Sequence, residues 1–428
     1  MIKMSNAQLV EAAFRQRSAA SAVVMDSAGD RGIALESFAK ARTQFEPYAR
    51  ALDLVNKHIT IRPEDIKDAS AAYQELAEKL VEKLQWPSGA IRVFPQGSAS
   101  TQTLIRSPDR TKFDIDAVCR VVIDAGYVSN PLTFFDDVGK GLEGLVVEAK
   151  NRCWKVNFPN RPYYIEFTPS VPLESVHIDK NGNDLRRLVA PGYIDTALAV
   201  VDRETKTWKT SNPEGLVKWV DEASKYKLVR VVMLKAALEH VMDSVRPVSE
   251  QEIAVDDTLR IAIRLFKRHR DMSVFHGHID RQFQPISVIL VTLLTQMYYG
   301  LAELGRTFEN SVQLLVQLAE LLPHMVPSYP TYGYFIGNPT VEGENFAERW
   351  NTDEGERAET FAKWCKLLRY DLETILSAAD EKTIEEKARK VFGCTRDTGP
   401  SDGGGGGGGV SVSPTRRPPP PPRTQGLA

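Results

Sequence analysis

Three acidic residues and a glycine–serine pair stand out by type and spacing: Gln96-Gly97-Ser98, then Asp114-Ile115-Asp116, then Glu166. Side chains two apart on a strand point the same way. A strand through Asp114 and Asp116 therefore presents two carboxylates together and turns Ile115 into the core. Neighbouring carboxylates repel unless something positive lies between them. A divalent cation meets that need, and magnesium favours carboxylate oxygens together with substrate phosphates and waters. Glu166 lies in Tyr164-Ile165-Glu166-Phe167, a strand-like run with apolar neighbours. There it can complete the same metal cluster and take the proton from an attacking hydroxyl. Gly97-Ser98 follows another strand-like run at a turn, where backbone N–H groups and a hydroxyl can grip a phosphate. Each piece has a plainer reading. An Asp-x-Asp is commonly a solvated edge or turn, Gly-Ser alone says little, and Glu166 can be a salt-bridged core acid. Their order and spacing together favour a metal and phosphate site.

The elements that must position these residues can be read from periodicity. Residues 91–94, 113–123 and 163–168 read as strands, and 132–150 between the last two reads as a helix. From 36 to 84 the pattern is helical, with Ala69, Tyr73, Leu76, Leu80 and Leu84 recurring at three- and four-residue steps. Pro63 sits just inside a helix start, where its missing N–H costs nothing. Trp86-Pro87-Ser88-Gly89 supplies the stop. Mixed strands and helices over 36–205 predict an α+β unit with a long spine helix. From about Pro213 onward the pattern is almost wholly helical, through 259–270, 286–299, 311–322 and 359–378. A helical second lobe is thus expected at 206–395. Residues 1–35 are weakly patterned and expected to be partly disordered. The tail from 396 to 428 carries an unbroken glycine run at 403–409 and an unbroken proline run at 418–422. Such a segment cannot bury a core.

Composition narrows the function classes. The chain has 428 residues, 42% hydrophobic and 26% charged, with a formal net charge of −2. No overall basic field demands long duplex nucleic acid, although a local basic cleft for phosphates is compatible with this balance. Cys119, Cys153, Cys365 and Cys394 lie far apart without metal-ligand spacing, which argues against a zinc ribbon or a disulfide-stapled secreted fold. Neither a signal peptide nor a membrane span is apparent, so the plain reading is a cytosolic enzyme or binding protein. No Gly-x4-Gly-Lys-Ser/Thr loop is present, which disfavours an ATPase motor. His276 and His278 suggest a metal pair, but no third ligand lies near in sequence and a surface position is favoured.

From about residue 50 to 370 the chain resembles the polymerase-beta-like nucleotidyltransferases, and within them the bacterial cGAS/DncV-like family (CD-NTases) of anti-phage CBASS systems. That family's catalytic lobe reads Gly-Ser, an acid-x-acid strand, then a third acid before an apolar-Pro turn. Here these are Gly97-Ser98, Asp114 and Asp116, and Glu166 in Ile165-Glu166-Phe167-Thr168-Pro169. Arg152-Cys153-Trp154 leads into that strand in a similar way. In the second lobe, Trp208-Lys209-Thr210-Ser211-Asn212-Pro213-Glu214-Gly215 is similar to the family's entry motif. Leu265-Phe266-Lys267-Arg268-His269-Arg270-Asp271 resembles its basic helix, and Pro285-Ile286-Ser287-Val288-Ile289-Leu290 the segment that follows. Asn338-Pro339, Glu344-Asn345-Phe346-Ala347 and Trp350 resemble a later signature. One departure is plain: the third acid is usually Asp and here is Glu166.

The resemblance implies a Mg2+-dependent synthase with two metal ions, for which Mn2+ can substitute. Its substrates would be NTPs, ATP among them, and its product a cyclic di- or trinucleotide that activates a separate effector. Asp114, Asp116 and Glu166 would bind metal, and Gln96, Gly97, Ser98 and Lys267 the nucleotide. Arg260, Arg264, Lys267 and Arg268 recur at helical steps and form one charged stripe opposite Ile263 and Phe266. The stripe reads either as a triphosphate contact or as a solvated face, and the family match favours the first, with Lys267 foremost. Some relatives have a ubiquitin-activation-like partner that joins a flexible C-terminus to a target, and Gly426-Leu427-Ala428 would suit such capture. Two other functions remain open at this point: transfer of nucleotides to an RNA or protein acceptor, and a non-catalytic nucleotide sensor.

Overall fold

The computed structural model describes residues 4–23, 45–87, 89–108, 112–176, 178–179, 182–229, 257–331 and 333–394. The Gly/Pro tail expected at 396–428 and residues 24–35 of the N-terminal segment lie outside the described residues. Helices α1 (Asn6–Val23), α2 (Phe45–Ile59) and α3 (Pro63–Leu84) come first. A mixed α/β region follows with β1 (Ile91–Pro95), α4 (Gly97–Ser100), β2 (Phe113–Val121), α5 (Pro131–Gly141) and β3 (Val146–Ala149). It continues through β4 (Trp154–Asn157), β5 (Tyr163–Pro172), β6 (Leu198–Asp202) and β7 (Thr207–Ser211). The remainder is helical: α6 (Pro213–Ser224), α7 (Thr258–Phe275), α8 (Ser287–Glu303), α9 (Ser311–Leu321), α10 (Glu356–Leu376) and α11 (Glu381–Val391).

β5 organises the sheet. It pairs in parallel with β2 along residues 163–170, and its other edge carries β4 along 164–167 and β6 along 170–172, both antiparallel. β1 lies outside β2, β3 outside β4, and β7 outside β6. One face of this sheet packs on α3 and α5 through Ile115, Ala117, Ile165 and Phe167 against Tyr73, Leu76, Leu80 and Phe134. The opposite face carries Asp114 and Asp116.

α3 starts where the sequence places it. Arg62 is extended (φ −67°, ψ 142°) because the residue before a proline is disfavoured in helix, and Pro63 then opens the first turn. Within the helical pattern read over 36–84, the described residues form two helices that meet at 60–62, as the helix start read at Pro63 requires; residues 36–44 lie outside the described residues. They also belong to different cores. α2 buries Tyr48, Val55 and Ile59 among the helices of the second lobe, while α3 buries its apolar face under the sheet. Tyr48 donates to the Leu376 carbonyl at 2.9 Å, and Arg50 pairs with Glu381 at 3.0 Å.

Two further expectations change. The helix read at 132–150 ends at Gly141, and Val146–Ala149 is strand β3. Gly139 lies against the Trp154 ring and Gly141 against Leu80, so their lack of side chains serves packing. Gly144, at φ +91°, then reverses the chain into β-branched Val146 and Val147. Within the N-terminal segment read as weakly patterned, Asn6–Val23 is helical, with Val10 and Ala13 buried in the helical-lobe core. α1 lies along α8, where Gly300 leaves room: a Cβ there would be 2.5 Å from both the Asn6 carbonyl oxygen and Val10 Cγ2. All four cysteines are free and buried. No helix among the described residues is long and apolar enough to cross a membrane.

Candidate active site

The strand alternation places the acids as expected. Ile115 is wholly buried under the sheet, Asp114 is exposed and Asp116 half-buried on the other face. The parallel register sets Asp116 beside Glu166 and Asp114 beside Tyr164, on strands about 4.8 Å apart. On the far edge of β5, Glu166 is paired in register with Lys155 of β4. The face thus runs Asp116, Glu166, Lys155 across three strands.

The backbone of Asp116 is anchored twice. Its carbonyl accepts the Gln96 N–H at 3.0 Å and the Tyr73 hydroxyl at 2.9 Å. Gly97, at φ +58°, then turns the chain into α4, and a Cβ at that position would overlap Asp116 Oδ2 outright. Only glycine combines the left-handed conformation with that approach. The Gln96 side chain crosses the sheet to donate to Thr168 Oγ1 at 3.0 Å. Ser98 is fixed from the second lobe: Lys267 Nζ donates to its Oγ at 2.8 Å and to the Thr103 carbonyl at 2.7 Å, while the Thr103 N–H donates to the Ser98 carbonyl at 2.9 Å.

These placements are electrostatically tense. Burial, then the charges of Asp114 and Glu166, push the Asp116 carboxyl well above the usual range, and Lys267 only partly offsets them. Glu166 is also raised, by burial and by Asp114, against the opposing charges of Lys155 and Lys150. The Cys153 thiol lies 3.9 Å from Glu166 Oε2 and is itself pushed up to about 12, chiefly by burial. Burial, with Arg270 adding repulsion, pulls Lys267 down to about 7.

The chemistry of the donor set fits a hard divalent cation: oxygen ligands only, held close enough to raise one another's proton affinity. Among the described residues no three His, Cys, Asp or Glu side chains gather into a group able to hold a metal by themselves. A partial oxygen set suits magnesium, which keeps waters and recruits substrate phosphates instead of filling an all-protein cage.

The basic stripe on α7 is neither a solvated face nor an open phosphate wall. Arg264 is 0% exposed and Lys267 3% exposed, and Arg260 and Arg268 are also buried. Arg264 reaches back to Thr60 Oγ1 and the Asn56 carbonyl of the α2 end. Arg260 donates to the Thr101 carbonyl at 2.9 Å and pairs with Asp221 and Asp257. Arg268 donates to the carbonyls of Phe392 at 2.7 Å, Arg106 at 3.0 Å and Gly393 at 3.1 Å. Lys267 reaches the Gly97–Ser98 turn directly.

Other sequence signatures prove to be joints. Asn212 caps α6 by accepting the Gly215 N–H at 2.9 Å and donates to the Tyr193 carbonyl at 2.8 Å. Asn338 and Asn345 stitch the turns between 334 and 347 through backbone hydrogen bonds. Arg152 is held by Asp202 at 3.0 Å. His276 and His278 are exposed beyond the end of α7, 5.8 Å apart between ring centroids. Sequence reasoning missed Tyr73, Thr103, Thr168 and Lys155 as site neighbours. Only the half-alternating Trp154-Lys155-Val156-Asn157 run carried a signal.

No protein-family model matches the chain. It is similar to the c-di-GMP synthase of Roseivirga ehrenbergii, with 25% identity over 332 residues, which cover 74% of this chain and 76% of that one. Among solved structures it resembles the CD-NTase CdnG of Bradyrhizobium diazoefficiens in complex with GTP. That likeness has a TM-score of 0.52 at 16% identity and covers 80% of this chain and 97% of the other. It also resembles CdnC of E. coli MS115-1 in its complex with HORMA-deltaN, with a TM-score of 0.53 at 12% identity over 81% of this chain and 96% of the other. The α+β architecture expected from the sequence, a mixed-sheet nucleotidyltransferase lobe with a helical second lobe, is the fold of these proteins.

Proposed function

We propose that this chain, a cGAS/DncV-like nucleotidyltransferase (CD-NTase) in fold, joins nucleoside triphosphates into a cyclic di- or trinucleotide second messenger and releases pyrophosphate. One observation carries the reading: Asp114, Asp116 and Glu166 share a single sheet face, beside a glycine turn that opens directly onto Asp116. Similarity to a c-di-GMP synthase and to a GTP-bound CdnG supports nucleoside triphosphates as substrates. In this reading the product activates a separate effector in anti-phage defence.

Asp114 and Asp116 would hold magnesium, with Glu166 completing the second position. When bound, the metal would neutralise charge on the transferring phosphate and on the two oxygens in line with it. The Gly97–Ser98 turn receives the donor's β- and γ-phosphates. Lys267 acts there through Ser98, because its ammonium is buried behind the turn. A ribose hydroxyl attacks the donor α-phosphorus; the new P–O bond forms as the bond to the β-phosphate oxygen breaks. Glu166 takes the hydroxyl proton, and pyrophosphate departs on the Gly97–Ser98 side.

The test is to incubate the full chain with four radiolabelled NTPs and magnesium, then treat the products with phosphatase. A resistant product that disappears in the Asp114→Asn/Asp116→Asn protein is expected, and omitting NTPs singly names the bases. A product that persists in that variant, or none from the wild type with either magnesium or manganese, would overturn the reading.

A further inference from the structure

The row of charges on the sheet does not stop at the acids. Beyond Glu166 stands Lys155, and its position is unusual. Glu166 is its partner on β5 and Glu148 its partner on β3. Yet among the described residues Lys155 forms no ion pair. Glu148 is taken by Lys150 at 2.5 Å. Lys155 instead lies over the Tyr164 ring, with Nζ 3.8 Å from the centroid. An ammonium over a ring face is held by the ring's quadrupole without being neutralised. Tyr164 is half-buried beside Asp114, and its hydroxyl has no hydrogen-bond partner among the described residues.

In-line transfer then assigns the sides. Attacking and leaving oxygens lie on opposite sides of the transferred phosphorus. The leaving pyrophosphate belongs with Gly97–Ser98, on the β1 side of Asp116. The attacking nucleotide must therefore approach over β5 and β4, past Glu166, where Lys155 and Tyr164 lie.

We infer that Lys155, seated on the Tyr164 ring, binds the 5′-phosphates of the acceptor nucleotide, the one whose ribose hydroxyl attacks. This rests on the proposed reaction and adds what selects its second substrate: a phosphorylated nucleoside over a bare one. Tyr164 supplies the platform and a hydroxyl donor, while Lys155 supplies the charge. Among the described residues no carboxylate forms an ion pair with it.

The experiment uses a radiolabelled 2′,3′-dideoxynucleoside triphosphate as donor, which cannot itself attack. Unlabelled nucleoside, 5′-monophosphate or 5′-triphosphate serves as acceptor, and the linear dinucleotide is counted. The wild type should show an acceptor KM lower by about tenfold or more for the triphosphate than for the nucleoside. Lys155→Gln should collapse that ratio towards one, with the change in KM and not in kcat, and Lys155→Arg should restore it. Tyr164→Leu, which keeps the charge but removes its seat, should also weaken the preference. A wild-type ratio retained in Lys155→Gln, or turnover lost equally with all three acceptors, would overturn the acceptor site. Transfer that survives Asp114→Asn/Asp116→Asn, or is absent from the wild type, would instead overturn the underlying reaction.

Discussion

Oδ2 of Asp116 occupies the space that a Cβ on residue 97 would fill. The Gly97–Ser98 turn and the Asp116 carboxylate are thus one packed unit, and neither can be adjusted without the other.

Gly97→Ala should therefore cost activity far more than stability. The left-handed backbone is disfavoured by about 1–2 kcal/mol once a Cβ is present. Displacing the carboxylate by about an ångström costs about 100-fold in rate. The check is product formation beside a thermal melt; activity within a few-fold of wild type would show that Asp116 can be moved freely.

Asp116→Asn should remove product yet stabilise the metal-free protein. Burial and two neighbouring carboxylates raise this carboxyl's proton affinity on folding. Its ionised form is therefore a cost, which is present above the unfolded carboxylate range and relieved as the pH falls and the group protonates. Urea melts in EDTA should show the variant more stable at pH 7, by on the order of 1 kcal/mol. The gap should narrow towards pH 5, and excess magnesium should close it by stabilising the wild type alone.

Lys267 carries the opposite sign. It holds its proton less tightly in the fold, where burial lowers it to about 7, than in the unfolded chain. Between about pH 7 and 10 the unfolded chain is then the better proton acceptor, so stability attributable to this residue rises with pH. Denaturation of the wild type at pH 7 and pH 9 should show this slope. Lys267→Met should lack it, while also weakening triphosphate binding through the loosened Ser98 turn.

Arg268→Met should destabilise the fold without a specific effect on substrate binding. The guanidinium is buried and satisfies three carbonyls from two separate segments. Leaving buried carbonyls unpaired costs about 1–3 kcal/mol each. A melting temperature within a degree of wild type would contradict this role.

The acids were legible in the sequence because strand alternation is a strict rule: Asp114 and Asp116 must share a face whatever surrounds them. Glu166 was legible as a third acid in an apolar strand able to join the same cluster, but not as the neighbour of Asp116 in register. The parallel register that sets it beside Asp116 is a long-range pairing that local pattern cannot encode. The arginines of α7 were read correctly as one stripe, but their environment was not legible. A helix buried by α2, α6, α8 and the turn after α11 looks, residue by residue, like one with a charged solvent face. The misread of 146–149 has a similar origin, since two valines after a helical run follow either period until Gly144 breaks the chain.

The placement of α1 and α2 in the helical-lobe core has a consequence for synthesis. The nucleotidyltransferase lobe is a cassette between the two ends of the other lobe, reached by one crossing at 60–62 and another at 211–213. During translation every strand of the sheet exists before any residue of α7 to α11 has been made, and domains fold as their chain emerges. α1 must wait for α8, and α2 for α7 and α11, which cover their apolar faces. Helices made before the sheet thus find their places only after it.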